Sequence, residues 1–355
     1  MSDHVDNLDA VRARIGEIDR EIVARAAERL ALVKEVGEIK RRLNIPTVDY
    51  AHERAVLERA RTAALTHGLD PQIAEDLLAR LIRASVGAQE DERLRFSATG
   101  AGKCAVIVGG AGRMGRWMAH FLSAQGFTTG ALDPAASSEE NAWAKGALAT
   151  ADLVVVAVSP GVTATLYSEW VTSPPRGIVV DIASIKTPLL EPIAALQRAE
   201  CCVGSIHPMF GPSVALLRDA DVVVCDTGDA RALAAVEALF APTTARIVRM
   251  PLAEHDRVMA DLLSLAHATA IAFAVALPKA QQPVRSTTFR ALESLAAAVV
   301  RESPDVYYEI QAKNPYSAQA IERLRDALAR LVGAIGAQDS TAFRQLLHEG
   351  LSRTT

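Results

Sequence analysis

Residues 104–133 constrain the fold of this chain more than any other segment. A short apolar run, Cys104–Val108, leads into a turn in which Gly110, Gly112 and Gly115 spell G-x-G-x-x-G. An amphipathic run follows and is expected to end as a helix at Gly126. A second short apolar run then ends in an acid, Asp133, 18 residues after the last glycine. A dinucleotide-binding βαβ unit requires this order of strand, glycine turn, helix, strand and acid. The sequence therefore predicts a parallel α/β sheet that binds a dinucleotide.

The glycine turn also predicts which residues hold the cofactor. Glycines let the backbone approach a pyrophosphate, which binds at the N-terminus of the following helix. Asp133 is expected to accept hydrogen bonds from ribose hydroxyls, and its charge would repel a 2′-phosphate, which favours NAD over NADP. The expected cofactor-binding residues are Gly110, Gly112, Arg113, Met114, Gly115, Asp133 and Ser159. The alternative is a glycine turn without a ligand.

Composition limits the remaining possibilities. The 355 residues leave room for two or three domains, and a net charge of −4 gives no indication of nucleic-acid binding. No signal peptide and no uncharged apolar run of 18 residues is recognisable. The four cysteines lack metal-ligand spacing. We expect a soluble cytoplasmic protein without a metal site and without membrane or nucleic-acid partners.

The first 90 residues show helical periodicity. Apolar residues recur every three or four positions over residues 8–43, with no proline before Pro46. A helix of that length spans about 54 Å, which is too long for a lone domain of this size, so its apolar stripe is expected to pack on a second copy in a homodimer. Two shorter helices are predicted over residues 50–67 and 71–89.

Polar residues recur at defined spacings within these helices. Arg29 and Lys40 are eleven positions apart and share a helix face, whereas Arg12 is rotated by about 100° and could reach a neighbouring chain. Two i, i+4 pairs each share a face, Asp49 with Glu53 and Ser85 with Gln89. A solvated helix face is the usual explanation for any one of these charges, but not for the whole set.

The segment over residues 5–90 resembles the all-helical, intertwined-dimer chorismate mutases. The resemblance implies that Arg12, from the other chain, and Arg29 clamp carboxylates. Lys40 and Gln89 would donate to the breaking ether oxygen. Asp49 and Glu53 would bind the C4 substituent, and Ser85 would complete the site. A Claisen rearrangement needs only such positioning and electrostatic stabilisation. One residue departs from the family, since His52 stands where relatives carry arginine.

Two later apolar runs end in polar sequences, DIASIK over residues 181–186 and GSIHPMFGP over residues 204–212. Ligands bind at the carboxyl ends of parallel strands. His207 is followed by Pro208 in a rigid loop, and a histidine placed there is suited to act as a general base, because its pKa lies near the working pH. The alternative is a histidine that only caps a strand.

Residues 104–350 resemble the prephenate dehydrogenases, and the order of the two parts resembles the bifunctional chorismate mutase/prephenate dehydrogenases of tyrosine biosynthesis. By this resemblance His207 takes the proton of the C4 hydroxyl while hydride leaves C4 for NAD⁺. Loss of CO₂ from C1 then yields 4-hydroxyphenylpyruvate. Ser184 would hydrogen-bond near the same hydroxyl, and Lys186 would lie near the substrate.

The resemblance also fixes the expected organisation. The chain is expected to comprise an all-α mutase-type domain (1–90), a linker (91–103), an α/β Rossmann domain that binds NAD (104–250) and an all-α substrate and dimerisation domain (251–355). In the last domain His255 is expected to line the substrate site, with a purely structural hydrogen bond as the alternative. Arg290 aligns with a substrate-binding segment. The family's second arginine falls on Ala298, and Arg301 lies nearby.

Two further functions stay open. Each site lacks one family arginine, at His52 and at Ala298, and a substrate with its own cation needs less positive charge around it. This observation favours 4-amino-4-deoxychorismate and 4-amino-4-deoxyprephenate as substrates, giving 4-aminophenylpyruvate for antibiotic or other secondary metabolism. The other alternative is a non-catalytic NAD-binding sensor.

Overall fold

The computed structural model describes residues 2–43, 45, 50–97, 99–212, 214, 217, 220–278, 284–301 and 303–354. Within the helices, the side chains of residues 2–8, 41, 50, 51, 88–91, 97 and 354 are outside this description.

Three helices form the N-terminal part of the chain. They are α1 (Ser2–Arg42), α2 (Tyr50–Thr66) and α3 (Pro71–Ser97). The prediction of one long first helix is confirmed, because α1 runs for 41 residues without a break. Both α1 and α2 pack on α3, yet Val11, Ile15 and Ile22 of α1 remain about half exposed. The apolar stripe of α1 is thus largely uncovered within a single chain.

Helix α3 extends beyond the predicted domain end. It continues to Ser97, so the first seven residues of the expected linker (91–103) are helical. The predicted end of this helix at residue 89 is therefore eight residues too early. The physical reason is that residues 90–95, EDERLR, are mostly good helix formers, and no glycine occurs between residue 90 and Gly100.

Seven strands form one sheet in the order β2-β1-β3-β4-β5-β6-β7. They are β1 (Cys104–Val108), β2 (Thr128–Leu132), β3 (Leu153–Val156), β4 (Ile178–Asp181), β5 (Cys202–Pro208), β6 (Asp221–Asp226) and β7 (Arg246–Pro251). Cys104 pairs with Thr128 in the parallel β1–β2 register, and Ile178 pairs with Cys202 in the parallel β4–β5 register. The predicted α/β sheet is confirmed, although β7 was not anticipated.

Helices connect the strands of the sheet. They are α4 (Arg113–Ala124), α5 (Ser138–Ala147), α6 (Pro160–Trp170), α7 (Leu190–Arg198) and α8 (Ala230–Phe240). Strand β3 is entirely buried, as expected of continuous apolar strands covered on both faces. Gly126 follows α4 with φ +91°, which confirms its predicted role in ending that helix.

The remaining helices form the C-terminal part. They are α9 (His255–Met259), α10 (Ala266–Ala276), α11 (Thr287–Val300), α12 (Pro304–Lys313), α13 (Ser317–Gly336) and α14 (Ser340–Thr354). Residues 252–276 are helical throughout, as a 3₁₀ turn over Leu252–Glu254, α9, a π-helical segment over Ala260–Leu265, and α10. Among the described residues, this stretch alone is long and apolar enough to span a membrane, with a mean hydropathy of 1.8. It also carries buried polar groups at His255 and Asp256.

Contacts divide the chain into two compact units. One comprises Met1–Leu153, Pro208–Val223 and Ala234–Val248. The other comprises Val154–His207, Val224–Leu233 and Arg249–Thr355. The glycine turn lies in the first unit, and His207 lies in the second.

Candidate active site

The glycine turn after β1 is built for close backbone packing. A Cβ atom on Gly110 would lie 2.4 Å from the Cβ of Ala131 on the neighbouring strand. A Cβ on Gly115 would lie 2.1 Å from the carbonyl oxygen of Gly109, which itself adopts φ +81°. Any side chain at Gly110 or Gly115 therefore forces the turn apart.

The same turn leaves the N-terminus of α4 available for an anion. Gly112 is the N-cap, and among the described residues no side chain caps this helix. Asp133, directly after β2, accepts from the backbone N–H of Ala111 at 3.1 Å and from that of Ala135 at 2.8 Å. Helix N–H groups for a pyrophosphate and a carboxylate at the end of β2 fit a dinucleotide with free ribose hydroxyls.

Ser159, also predicted to bind the cofactor, lies in the second unit. It is the N-cap of α6, and among the described residues its side chain makes no capping hydrogen bond. Its backbone carbonyl accepts from the hydroxyl of Thr163 at 3.0 Å. The Ser159 hydroxyl is therefore not used to cap its own helix.

His207 lies in a row of three hydrogen-bonded ionisable side chains. It is the sixth residue of β5 and is almost fully buried. Its Nδ1 atom lies 3.0 Å from Nε2 of His255, whose Nδ1 lies 2.7 Å from Oδ1 of Asp256. Backbone N–H groups of Lys186 and Thr187 donate to Oδ1 and Oδ2 of Asp256 at 2.8 and 2.7 Å. The loop after β4 thus fixes the carboxylate at the end of the row.

Burial controls protonation along this row. It lowers the pKa of His207 well below the ordinary value of 6.5, and the neighbouring His255 and Lys186 lower it further. Burial also lowers the pKa of His255, against the effect of its hydrogen bond to Asp256. For Asp256 burial acts to raise the pKa, but hydrogen bonds from His255 and Thr187 bring it below 3.8. Near neutral pH the row therefore holds two neutral imidazoles and one carboxylate.

Lys186 is fully buried and hydrogen-bonded within the protein. Its side chain has no exposed surface, and its Nζ atom donates to Oδ1 of Asp181 at 2.6 Å and to the carbonyl oxygen of Ile206 at 2.7 Å. The prediction that Lys186 lies near the substrate stays a prediction. The ammonium group is already hydrogen-bonded to the buried carboxylate of Asp181 and to the carbonyl oxygen of Ile206, the strand residue that precedes His207.

The other predicted dehydrogenase residues are less enclosed. Ser184, in the loop after β4, is half-buried. Arg290 on α11 is exposed, as is Ala298 on the same helix. Arg301, the C-cap of α11, is exposed as well. The described contacts do not bring these three α11 positions to the histidine row.

The helical N-terminal part brings two of its predicted residues together. A guanidinium nitrogen of Arg29 on α1 donates to the hydroxyl of Ser85 on α3 at 3.0 Å. That hydroxyl donates to the carbonyl oxygen of Leu81 at 2.6 Å. Ser85 is buried, so the contact fixes Arg29 at the junction of the two helices.

Of the remaining mutase-type residues, the structure describes the side chains of some but not of others. Arg12 is strongly exposed and pairs with Asp9 at 3.5 Å. Lys40 and Glu53 are half-buried, each with interactions of its own. Asp49 lies outside the described residues, and Gln89 is described only as part of the α3 backbone.

Sequence reasoning missed Asp256 as a functional residue, although it directly follows His255. Neighbouring residues on a helix do not normally face each other. Here the pair stands at the first turn of α9, just after a 3₁₀ turn. An acid beside a histidine at a predicted helix start was the available signal. Among the described residues, no group of three His, Cys, Asp or Glu side chains could hold a metal ion.

Fold and sites together define a helical domain joined to a dinucleotide-binding oxidoreductase domain. Residues 11–90 match the family model for chorismate mutase type II, and residues 128–249 match that for the prephenate dehydrogenase nucleotide-binding domain. The chain is 28% identical to a T-protein of Enterobacter agglomerans over 96% of this chain and 91% of the relative. It is 32% identical to a 4-amino-4-deoxyprephenate dehydrogenase of Streptomyces pristinaespiralis over 70% of this chain and 90% of the relative.

A solved structure shares the fold of the larger part. Prephenate dehydrogenase from A. aeolicus, solved with hydroxyphenyl propionate and NAD⁺, superposes with a TM-score of 0.57 at 18% identity, over 71% of this chain and 97% of that one. The chain belongs to the prephenate dehydrogenase family and carries a chorismate mutase type II domain at its N-terminal end. One polypeptide thus joins an isomerase domain to an NAD-dependent oxidoreductase domain.

Proposed function

We propose that this chain rearranges chorismate to prephenate at its helical site and oxidatively decarboxylates prephenate with NAD⁺ at its second site, in tyrosine biosynthesis. The two family models support the pair of activities. The observation that carries the second activity is the buried His207, kept neutral and in contact with His255. A neutral imidazole near pH 7 can accept the C4 hydroxyl proton.

The rearrangement requires no nucleophile or base. It requires a dianion held in a reactive conformer, with its developing charge stabilised. Arg29, fixed by Ser85, is suited to clamp a carboxylate, since guanidinium binds carboxylates through two parallel hydrogen bonds. Lys40 and Gln89 would donate to the ether oxygen, and Asp49 and Glu53 would bind the C4 hydroxyl.

In the second reaction, NAD⁺ accepts the hydride when it is bound. Gly110, Gly112 and Gly115 would admit its pyrophosphate at the N-terminus of α4, and Asp133 would accept from its ribose hydroxyls. His207 would take the hydroxyl proton while Ser184 orients the hydroxyl. Burial of His207 would limit the access of water to the base.

The active form is proposed to be a homodimer. Half-exposed Ile15, Ile22 and Val36 of α1 would be covered by the same helix of a second copy. The exposed Arg12 would complete the partner's mutase site.

Mixing inactive Arg12→Ala and Arg29→Ala chains should then restore about a quarter of wild-type mutase activity, since half of the dimers are mixed and each has one intact site. A monomeric mass in light scattering, or no recovery on mixing, would contradict the dimer.

A second candidate pair of substrates is 4-amino-4-deoxychorismate and 4-amino-4-deoxyprephenate. Ala298 and His52 stand where the family resemblance places arginines, and the Streptomyces pristinaespiralis relative is named for the amino substrate. An ammonium group on the substrate would make further cations unfavourable. This candidate shares every step above except the identity of the C4 group.

One assay separates the two candidates. NADH formation is measured with NAD⁺ and prephenate or 4-amino-4-deoxyprephenate at matched concentrations. Preferred turnover of prephenate supports the tyrosine pathway, whereas preference for the amino substrate supports the second candidate. No NADH with either substrate, in protein that binds NAD⁺, would favour the non-catalytic sensor. A cytoplasmic location stays a prediction.

A further inference from the structure

The hydrogen bonds around Asp256 determine where the protons of the histidine row reside. Both carboxylate oxygens accept backbone N–H groups, from Lys186 at 2.8 Å and from Thr187 at 2.7 Å. A carboxylate surrounded by donors is ionised. It can therefore only accept from Nδ1 of His255, at 2.7 Å. His255 carries its proton on Nδ1, and in its neutral form Nε2 has a free lone pair.

The protonated nitrogen of His255 determines which nitrogen of His207 is protonated. The lone pair on Nε2 of His255 faces Nδ1 of His207 at 3.0 Å, so Nδ1 of His207 must be the donor. In neutral His207 the remaining lone pair is then on Nε2. The row has one consistent direction of donation, from His207 to His255 to Asp256.

We propose that Asp256 and His255 are positioning residues that fix His207 as its Nδ1–H tautomer. During the reaction, His255 then accepts the Nδ1 proton of His207. The O–H bond of the C4 hydroxyl breaks and an Nε2–H bond forms on His207. The Nδ1–H bond of His207 then breaks and an Nε2–H bond forms on His255. The protein gains one proton and no electrons, and the hydride goes to NAD⁺ as in the proposed function.

The charges that face the row favour this end state. Lys186, held by Asp181 and by the carbonyl oxygen of Ile206, opposes a cation on either histidine, so it does not by itself separate them. Asp256 stands beside His255, where a second proton completes an ion pair. The Cys225 thiol on the neighbouring β6 also faces Lys186 and Asp181, and burial raises its pKa to about 12, so it stays neutral. The charge is therefore better accommodated on His255 than on His207.

The proposal rests on the proposed function only for its kinetic part. The tautomer is tested in the resting enzyme by ¹⁵N NMR of histidine-labelled protein, with His207→Gln used for assignment. We expect His207 to be protonated at Nδ1 in the wild type. A His207 protonated at Nε2 would overturn the proposal, whether or not the enzyme turns over any substrate.

The relay is tested with His255→Gln. The amide oxygen of glutamine can accept from Nδ1–H of His207, which keeps the tautomer, but it cannot take up a proton. We expect kcat for NADH formation to fall about 10- to 100-fold while KM stays within about threefold. The dependence of kcat on the D₂O fraction should change from curved, with two protons moving, to linear, with one.

The controls separate the relay from loss of structure. His348→Gln replaces an exposed histidine on α14 and should leave kcat and the curved D₂O dependence unchanged. NAD⁺ affinity of His255→Gln should match the wild type, which shows that the nucleotide domain is intact. A wild-type kcat in His255→Gln, or linear D₂O dependences in both proteins, would overturn the relay. Absence of NADH formation by the wild type itself would instead refute the proposed function.

Discussion

The ammonium nitrogen of Lys186 lies 2.6 Å from Oδ1 of Asp181, and neither side chain has any exposed surface. A buried ion pair is costly to desolvate, so breaking it by removing one partner leaves an uncompensated charge. Because Lys186 also binds the carbonyl oxygen before His207, this pair supports the strand that presents the base.

Replacing Lys186 with methionine is expected to destabilise the α/β part by about 3–5 kcal/mol, because Asp181 is left charged and unpaired. Urea unfolding followed by tryptophan fluorescence measures this, since Trp117, Trp143 and Trp170 all lie in that part. The double variant Lys186→Met/Asp181→Asn should recover most of the loss. Additive losses in the double variant would show that the pair is not coupled.

His207→Ala should lower NADH formation by about 10⁴-fold, because general acid–base catalysis contributes up to that factor. Mutase activity in the same sample should stay at the wild-type level, since Arg29 and Ser85 lie on separate helices of the N-terminal part. A parallel fall of both activities would contradict two independent sites.

Stability should decrease as the pH falls below about 6.5. The folded-state pKa values of His207 and His255 are lowered, so the unfolded chain takes up protons first. The contribution is fully present above pH 6.5 and is lost toward the lower folded pKa, at about 1.4 kcal/mol per pH unit for each histidine. Melting temperatures from pH 8 to 5 measure the slope. His207→Gln should flatten it, and the exposed His348→Gln should not.

Gly115→Ala should weaken NAD⁺ binding about tenfold or more, because its Cβ would lie 2.1 Å from the carbonyl oxygen of Gly109 and force the turn to shift. Gly146→Ala in α5 is the matched control, as nothing lies within 4 Å of its added Cβ. Fluorescence titration with NADH gives both affinities. Equal affinities in the two variants would contradict the tight packing of the turn.

Ser85→Ala should reduce mutase kcat/KM about three- to tenfold, because Arg29 loses the hydroxyl that fixes it, and one hydrogen bond contributes about 0.5–1.5 kcal/mol. Thr66→Ala is the control, since this exposed hydroxyl also bonds to the carbonyl four residues earlier. The rate of chorismate loss is the readout. Similar effects of both variants would assign Ser85 a structural role alone.

Patterning made much of this fold predictable. The run from Cys104 to Val108 matches β1 at both ends, and Gly126 ends α4 as its position suggested. Strand β7 was missed because Arg246 and Arg249 interrupt its apolar character and its residues are only partly buried. Edge strands lack the continuous apolar signal of central ones.

The candidate site was predictable only in part. His207 followed from the rigid loop after an apolar run, and the Arg29–Ser85 contact agrees with the predicted site. The role of Lys186 depended on whether its side chain turns inward, which is decided by Asp181 five residues earlier and by the backbone of Ile206. Contacts of this kind form only in the folded chain, so the periodicity of the sequence does not predict them.

The π-helical segment over Ala260–Leu265 sets the rotational phase between two histidines. His255 and His267 are twelve residues apart, and in a continuous α-helix at about 100° per residue they would point about 120° apart. A π-helix turns through a smaller angle per residue, since its hydrogen bonds span five residues. The segment therefore acts as a built-in one-residue insertion that brings the two imidazoles closer in azimuth. Deleting a single residue within it would leave regular α-helix with the two histidines still about 20° apart, so the shortened helix would keep this alignment.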